Sequence, residues 1–258
     1  MNSHPFENPL FCISIVSHGQ TELVYDLVND ISNSDGFKYF QIVLTLNTPS
    51  EFFDLTKFPK LNITILQNLS PKGFGANHNQ AFLLCKAKFF IVANPDIRID
   101  KLALSLLYDY CLKAGDFGAV TPNVLSKLNI PEDYIRENLS PYSLFKRYVF
   151  REKNACINVS KFYWACGMFL IFKPIIFREV QGFNEDYFLY CEDYDICGRL
   201  FLSGYKIEIA QEISVTHSGQ RSSHKSFKYL LMHLTSLYKV WTSTIFYRIA
   251  LFNLNRNN

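Results

Sequence analysis

No stretch of about 18 apolar residues occurs in the 258-residue chain, so the sequence offers no helix built to span a bilayer. Cys-x-x-Cys is also missing. The seven cysteines (Cys12, Cys85, Cys111, Cys156, Cys166, Cys191 and Cys197) are odd in number and scattered. That spacing argues against a zinc site or a disulfide framework and for free thiols in a reducing compartment. Net charge is slight: 26 Lys and Arg against 23 Asp and Glu leave +3, which makes no electrostatic case for nucleic acid as a partner. Acid is lacking altogether from Ile213 onward, where six Lys or Arg remain, and this end suits an anionic surface. The opening "MNSHPFENPL" is polar with two prolines and does not read as a signal peptide, so a cytoplasmic location is expected. Internal repeats and low-complexity tracts are absent.

What is present is a globular composition, 48% hydrophobic and rich in Phe (24) and Tyr (15), long enough for one large domain or two small ones. "FCISIVSHG" reads as a first strand ending in a polar turn. "TELVYDLVNDIS" has Leu23, Val24, Leu27, Val28 and Ile31 at helical spacing, with Thr21 as its expected N-cap. "YFQIVLTL", "LNITILQN", "KFFIVANPD" and "FGAVTP" read as strands, and "GANHNQAFLLCKA" and "KLALSLLYDYCLKAG" as helices. Residues 122 to 161, punctuated by Pro122, Pro131 and Pro141, form a long excursion. "YWACGMFLIFK" is expected as one strand, followed by a helix from Pro174 and another beginning near Glu192. "YKIEIA" and "ISVTHSG" are expected as two strands, and Ser223 to Leu251 as one long helix. Alternating strands and helices predict an α/β fold, a mostly parallel sheet with helices on both faces, with ligands beyond the carboxyl ends of its strands.

Four stretches carry candidate chemistry. "KGFGANHN" is a glycine-bearing loop entering a helix, suited to a phosphate or to a tight turn. It is not the dinucleotide fingerprint, since His78 stands at its sixth position. "ANPDI" puts Asp96 just past a buried strand, as a cation ligand or a turn cap. In "LYCEDYDICGRL", Asp195 and Arg199 stand at i and i+4 and read as an ion pair. Asp193 then falls in the first helical turn, where the dipole favours its ionised form, as a general base or as a helix-start stabiliser. "VTHSGQRSS" ends a strand at His217, a metal or phosphate ligand or a satisfied polar residue, and Arg221 and Lys225 follow, gripping a diphosphate or merely solvated. The C-terminal run of aromatics and cations reads as an interfacial helix or as one packed on the core.

Taken in order, these segments resemble the family 2 inverting glycosyltransferases of GT-A fold, and most closely the bacterial O-antigen rhamnosyltransferases. "ISIVSHG", "GFGANHNQAF", "NPDI", "WACGMFLIFK", "GFNEDYFLYCEDYDICGRL" and the strand-end His217 match the family's blocks in sequence order. The resemblance implies a GT-A domain over residues 1–222, with a nucleotide-sugar half (1–121) and an acceptor half (122–222), and a C-terminal helical, membrane-associating segment (223–258). It implies Asp193 as catalytic base, and Trp164, Gly167, Tyr190 and Glu192 around the acceptor. Val16, Ser17, His18, Asn47, Gly73, Gly75, Asn79, Asn94 and Asp96 would line the donor, Arg221 the diphosphate, and Asp96 with His217 a divalent cation, Mg²⁺ or Mn²⁺. The implied partners are a nucleotide-diphospho-sugar (dTDP-rhamnose, or a UDP-sugar) and a lipid-linked glycan at the inner face of a bacterial plasma membrane. Other donors of the same class, such as galactose or N-acetylhexosamine, and a catalytically silent sugar-nucleotide or glycan binder are the alternatives. Two departures stand out. The family's Asp-Asn pair after the second strand is Leu46-Asn47 here, and its Asp-x-Asp is reduced to Asn-Pro-Asp.

Overall fold

The computed structural model describes residues 9–150, 161–219 and 227–255. Four parallel strands open the chain: β1 (Phe11–Ser17), β2 (Phe40–Leu46), β3 (Asn62–Gln67) and β4 (Phe89–Ala93), ordered β3-β2-β1-β4. Every residue of β2 and of β4 is buried, as expected of continuous apolar strands covered on both faces. Phe11, Ile13 and Ile15 point to one face, against α1 (Thr21–Asn33) through Val24, Leu27, Val28 and Ile31. Cys12 points to the other face, which α2 (Phe74–Phe82) covers through Ala81. Thr21 is the first helical residue of α1 rather than its cap. Gln20 takes the cap position, and its N–H donates to Ser17 Oγ.

Past β4 the sheet changes character. β5 (Ile97–Arg98) and α3 (Ala103–Lys113) lead into β6 (Phe117–Ser126). β7 (Ile135–Glu137) and α4 (Pro141–Phe150) lie in the long excursion. β8 (Tyr163–Ala165), β9 (Phe169–Phe172), α5 (Pro174–Glu179), α6 (Glu192–Leu202) and β10 (Lys206–His217) complete the α/β body, and α7 (Phe227–Thr242) and α8 (Thr244–Asn255) follow. The eight-stranded order is β3-β2-β1-β4-β9-β6-β10-β5, with β9 antiparallel between β4 and β6 and β5 antiparallel on β10. β7 and β8 pair separately.

Three sequence expectations change here. "YWACGMFLIFK" is two strands, because Cys166 to Met168 leave the ladder to bond elsewhere: Gly167 N–H donates to Asp193 and Met168 C=O accepts from Asn94. "YKIEIA" and "ISVTH" form one strand, kept continuous by a register shift between Ala210 and Ser214. The tail is two helices. They break at Ser243, whose hydroxyl donates to Val240 C=O at 2.7 Å and accepts from Phe246 N–H at 3.2 Å. A serine that satisfies backbone groups this way ends one helix and caps the next. Leu237, Val240 and Ile249 are buried in the same core as Tyr194 and Leu200, so both tail helices dock on the body.

Candidate active site

At the carboxyl edge of β1, β2 and β3, amides do the joining. Asn47 Oδ1 accepts from Lys72 N–H (2.9 Å) and Asn68 Nδ2 (2.8 Å). Its Nδ2 donates to Lys72 C=O (3.0 Å) and lies 3.3 Å from His18 Nδ1. Asn68 reaches Asn77 Oδ1 at 2.7 Å, and Asn77 donates to Gly73 C=O at 3.0 Å. These buried amides fix the loop that precedes α2, and a satisfied network of this kind is rigid. Ser17 donates to the Glu51 carboxylate, whose other oxygen accepts from Thr48. Val16 sits one residue earlier on β1, half-buried.

Gly73 and Gly75 are required by close approach. A Cβ at Gly73 would lie 2.8 Å from Phe188 O, and one at Gly75 would lie 2.6 Å from Phe183 Cβ. Phe74 N–H donates to Phe188 C=O at 2.9 Å. Asn79 is spent on the same segment: it donates to Phe183 C=O (2.8 Å) and Glu185 (2.9 Å) and accepts from Phe183 N–H. The glycine loop and α2 therefore hold the segment that leads to the acidic helix. Below them His78 is buried, bonded to Ser14 at 2.7 Å, and burial pushes its pKa down to about 3.

Asp96 and His217 meet. β5 pairs with β10 so that Ile97 faces His217, and His217 Nε2 lies 3.1 Å from Asp96 Oδ2. Ser218 N–H donates to Asp96 C=O at 2.8 Å. Burial pulls the His217 pKa down, but the Asp96 carboxylate outweighs it and the net shift is upward. Asp96 Oδ1 and His217 Nδ1 are both buried without a hydrogen-bond partner, so this pair retains one oxygen and one nitrogen of ligating type. Among the described residues no three His, Cys, Asp or Glu cluster, so a cation here would need further ligands from outside the protein. An oxygen-rich diphosphate is such a source, and on donor chemistry the two residues fit a divalent ion.

The acid pair follows a backbone distortion. Tyr190 and Cys191 both have positive φ, +71° and +67°, which costs non-glycine residues energy and is sustained only by surrounding structure. The kink turns Glu192 inward, 5% exposed, at the start of α6. Its Oε2 has no partner, and burial, then the neighbouring Asp193 charge, push its pKa well above the carboxylate range. Asp193 is half-buried. Its Oδ2 accepts from Gly167 N–H and its Oδ1 from Tyr194 N–H, each at 2.9 Å. The helix dipole was expected to set its charge state, but burial is the larger influence and raises its pKa. The Gly167 N–H and the Arg136 charge oppose that rise. Asp195 and Arg199 form the expected ion pair at 2.6 Å. Trp164 is buried, donating to Glu137 C=O at 3.0 Å with Arg136 5.3 Å over its ring, and Tyr190 packs edge-on against His233 of α7.

The two carboxylate centres are joined through the sheet. Asn94 N–H donates to Met168 C=O, and the adjacent Gly167 N–H donates to Asp193, so Asp96 and Asp193 hang from neighbouring points of β4 and β9. No motif marks Asn68, Glu51 or Arg136 in the sequence, and Asn77 lies inside "KGFGANHN" with nothing local to set it apart from its neighbours. Only the pairing of distant loops brings them in. Arg221 lies outside the described residues.

No family model matches the chain. Over 246 residues it is 24% identical to the rhamnosyltransferase WbbL of Escherichia coli K12, covering 88% of this chain and 90% of that protein. Among solved structures it is similar to S. aureus TarS (TM-score 0.59, 14% identity, 81% of this chain and 37% of that one). It is also similar to the mannosyltransferase PcManGT of Pyrobaculum calidifontis, in complex with GDP-Man and Mn²⁺ (TM-score 0.60, 15% identity, 90% and 64%). A third is GalNAc-T7 with UDP, GalNAc and Mn²⁺ (TM-score 0.62, 15% identity, 81% and 43%). The chain thus spans less than two thirds of each of these structures and nearly all of the curated relative. The fold is GT-A, and the chain resembles glycosyltransferases of rhamnosyltransferase type.

Proposed function

We propose that this GT-A chain is an inverting glycosyltransferase that moves L-rhamnose from dTDP-rhamnose to a lipid-linked glycan in bacterial surface-polysaccharide synthesis. The observation that carries the reading is the suspension of a histidine–carboxylate pair and a two-carboxylate helix start from adjacent points of one strand pair. Asp193 is the base. It takes the proton of an acceptor hydroxyl while that oxygen attacks the anomeric carbon from the face opposite the diphosphate. The carbon–oxygen bond to the diphosphate breaks in the same displacement, and the configuration inverts.

Gly167 and Tyr194 N–H groups hold the Asp193 carboxylate in one orientation, which is what a positioned base requires. Glu192, whose pKa burial and then the Asp193 charge raise, is suited to orient the acceptor rather than to compete as a base. Asp96 and His217 would hold a divalent cation, which when bound supplies positive charge for the departing diphosphate. The Asn47–Asn68–Asn77 network keeps the donor-side loop rigid.

Rhamnose is favoured by the name of the curated relative. A UDP-sugar donor is the second reading, favoured by structural neighbours whose ligands are UDP and UDP-GlcNAc. A donor screen that reads nucleotide release, with and without Mg²⁺ or Mn²⁺, separates them. Asp193→Ala should lower transfer by about 10² to 10⁴-fold while donor binding persists. Release undiminished in that variant would remove Asp193 as the base, and no release from any sugar nucleotide with a lipid acceptor present would overturn the enzyme reading.

A further inference from the structure

The candidate site leaves the cysteines unused, and two of them meet. Cys12 lies within β1, fully buried, on the sheet face that α2 covers. Cys85 follows the end of α2 and is half-buried against the same cluster. Gln41 brings them together. It is the β2 register partner of Cys12, so the two side chains leave the sheet on one face. Its Nε2 donates to Leu84 C=O at 2.8 Å, and its Oε1 accepts from Lys86 N–H at 3.1 Å. One buried amide therefore grips the chain on both sides of Cys85. The residue so held accepts a hydrogen bond from the Cys12 thiol, and both thiols are free.

The two sulfurs are not equivalent. Cys12 has no exposed surface, and its hydrogen bond to Cys85, then its burial, push its pKa up. Cys85 reaches solvent. Its hydrogen bond from Cys12, the Ala87 N–H and the Arg178 charge lower its pKa against the opposing pull of burial. A partly exposed sulfur served by an N–H donor and a cation has the surroundings of a reactive thiol. A second thiol buried against it is placed to resolve any adduct it forms.

We propose that Cys85 and Cys12 form a thiol–disulfide exchange site that reacts with a low-molecular-weight disulfide, glutathione disulfide being the probe, and stabilises the fold under oxidising conditions. The Cys85 sulfur attacks one sulfur of glutathione disulfide, whose S–S bond breaks, and one glutathione leaves as a thiolate. The Cys12 sulfur then attacks Cys85 Sγ and expels the second glutathione. Each departing thiolate takes up the proton that the attacking thiol gave up. The two protein thiols are oxidised to one disulfide, and glutathione disulfide is reduced to two thiols. The new bond ties β1 to the end of α2, the helix whose Gly75 and Asn79 hold the segment leading to the acid pair. It also closes the chain between residues 12 and 85, which restricts the unfolded state. None of this depends on the transferase reading.

The test incubates the full, folded chain with glutathione disulfide and maps its peptides by mass spectrometry without reduction. Wild type should yield a linked Cys12–Cys85 peptide that dithiothreitol reverses, with a melting temperature raised by about 5 °C or more. Cys85→Ser should leave Cys12 unmodified, because Cys12 is buried. Cys12→Ala should stop at one glutathione on Cys85. Gln41→Met should slow the crosslink by about tenfold or more without slowing alkylation of Cys85 by iodoacetamide, because the amide positions the pair rather than activating either thiol. The wild-type map decides the matter even where a variant folds poorly. A wild type that stays unmodified, that holds glutathione on Cys85 without crosslinking, that links these cysteines only in denaturant, or that melts no higher once linked would overturn the proposal.

Discussion

Asp193 and Glu192 are neighbours in sequence but occupy different electrostatic situations. Asp193 is served by two N–H donors and the Arg136 charge, whereas Glu192 is buried with one oxygen unpartnered. Arg136 opposes the burial-driven rise in the Asp193 pKa. Arg136→Gln should therefore move the acid limb of the pH profile of kcat/KM to higher pH, since the base would need a higher pH to ionise. An unmoved limb would show that Arg136 serves only Trp164 and Asp133, which it also touches. Glu192→Gln should have the opposite sense on stability. The folded-state pKa of Glu192 lies above its unfolded value, so the native state holds the extra proton and loses stability as pH rises out of the ordinary carboxylate range. The glutamine variant removes that loss. Its melting temperature should exceed wild type at neutral pH, and the gain should vanish in acid, where both carboxyl forms are protonated. Melting curves across pH check this, and activity should fall as stability rises.

Elements show where sequence reasoning succeeds. Buried strands and the amphipathic α1 are local patterns, and all four opening strands appear where apolar runs place them. The Asp195–Arg199 pair is equally local. What the sequence does not display is which backbone groups leave a ladder for a distant partner, so the break at Cys166 to Met168 and the continuity of β10 had no local sign. The Asn79 amide illustrates the same limit: the motif marks it, but only the fold shows that its hydrogen bonds go to Phe183 and Glu185. The role of Gly73 is tertiary in the same way. Gly73→Ala pushes a Cβ into the Phe188 backbone, 2.8 Å from its oxygen and 2.9 Å from its Cα, and a backbone cannot swing aside as a side-chain tip can. We expect a destabilisation of about 1–3 kcal/mol, read by denaturant midpoint. A further loss of activity is expected because the displaced segment leads into Tyr190 and Cys191. A midpoint equal to wild type would mean that the loop gives way freely.

Over the whole molecule, the candidate cation pair is assembled by the last strand of the sheet. Asp96→Asn leaves a weaker oxygen donor opposite His217. Half-saturation by Mn²⁺ in the presence of a nucleoside diphosphate, measured by calorimetry, should rise by more than about tenfold. Binding that ignores both this change and chelation would remove Asp96 from metal binding. The topology also carries a consequence for how the protein matures. The amide network of Asn47, Asn68 and Asn77 uses only chain that has emerged by the end of α2, and its strands pair in parallel at short range. Asp96 waits for β10, and Asp193 is held by a β8–β9 connection that follows the long excursion. Contacts of such separation are slow to close. During synthesis, the four opening strands and their amide network can thus be in place before Asp96 meets His217 or Asp193 meets Gly167. On the proposed reading, a nascent chain would pass through a stage that has the Asn47–Asn68–Asn77 loop in order while Asp193, the proposed base, still lacks its Gly167 partner.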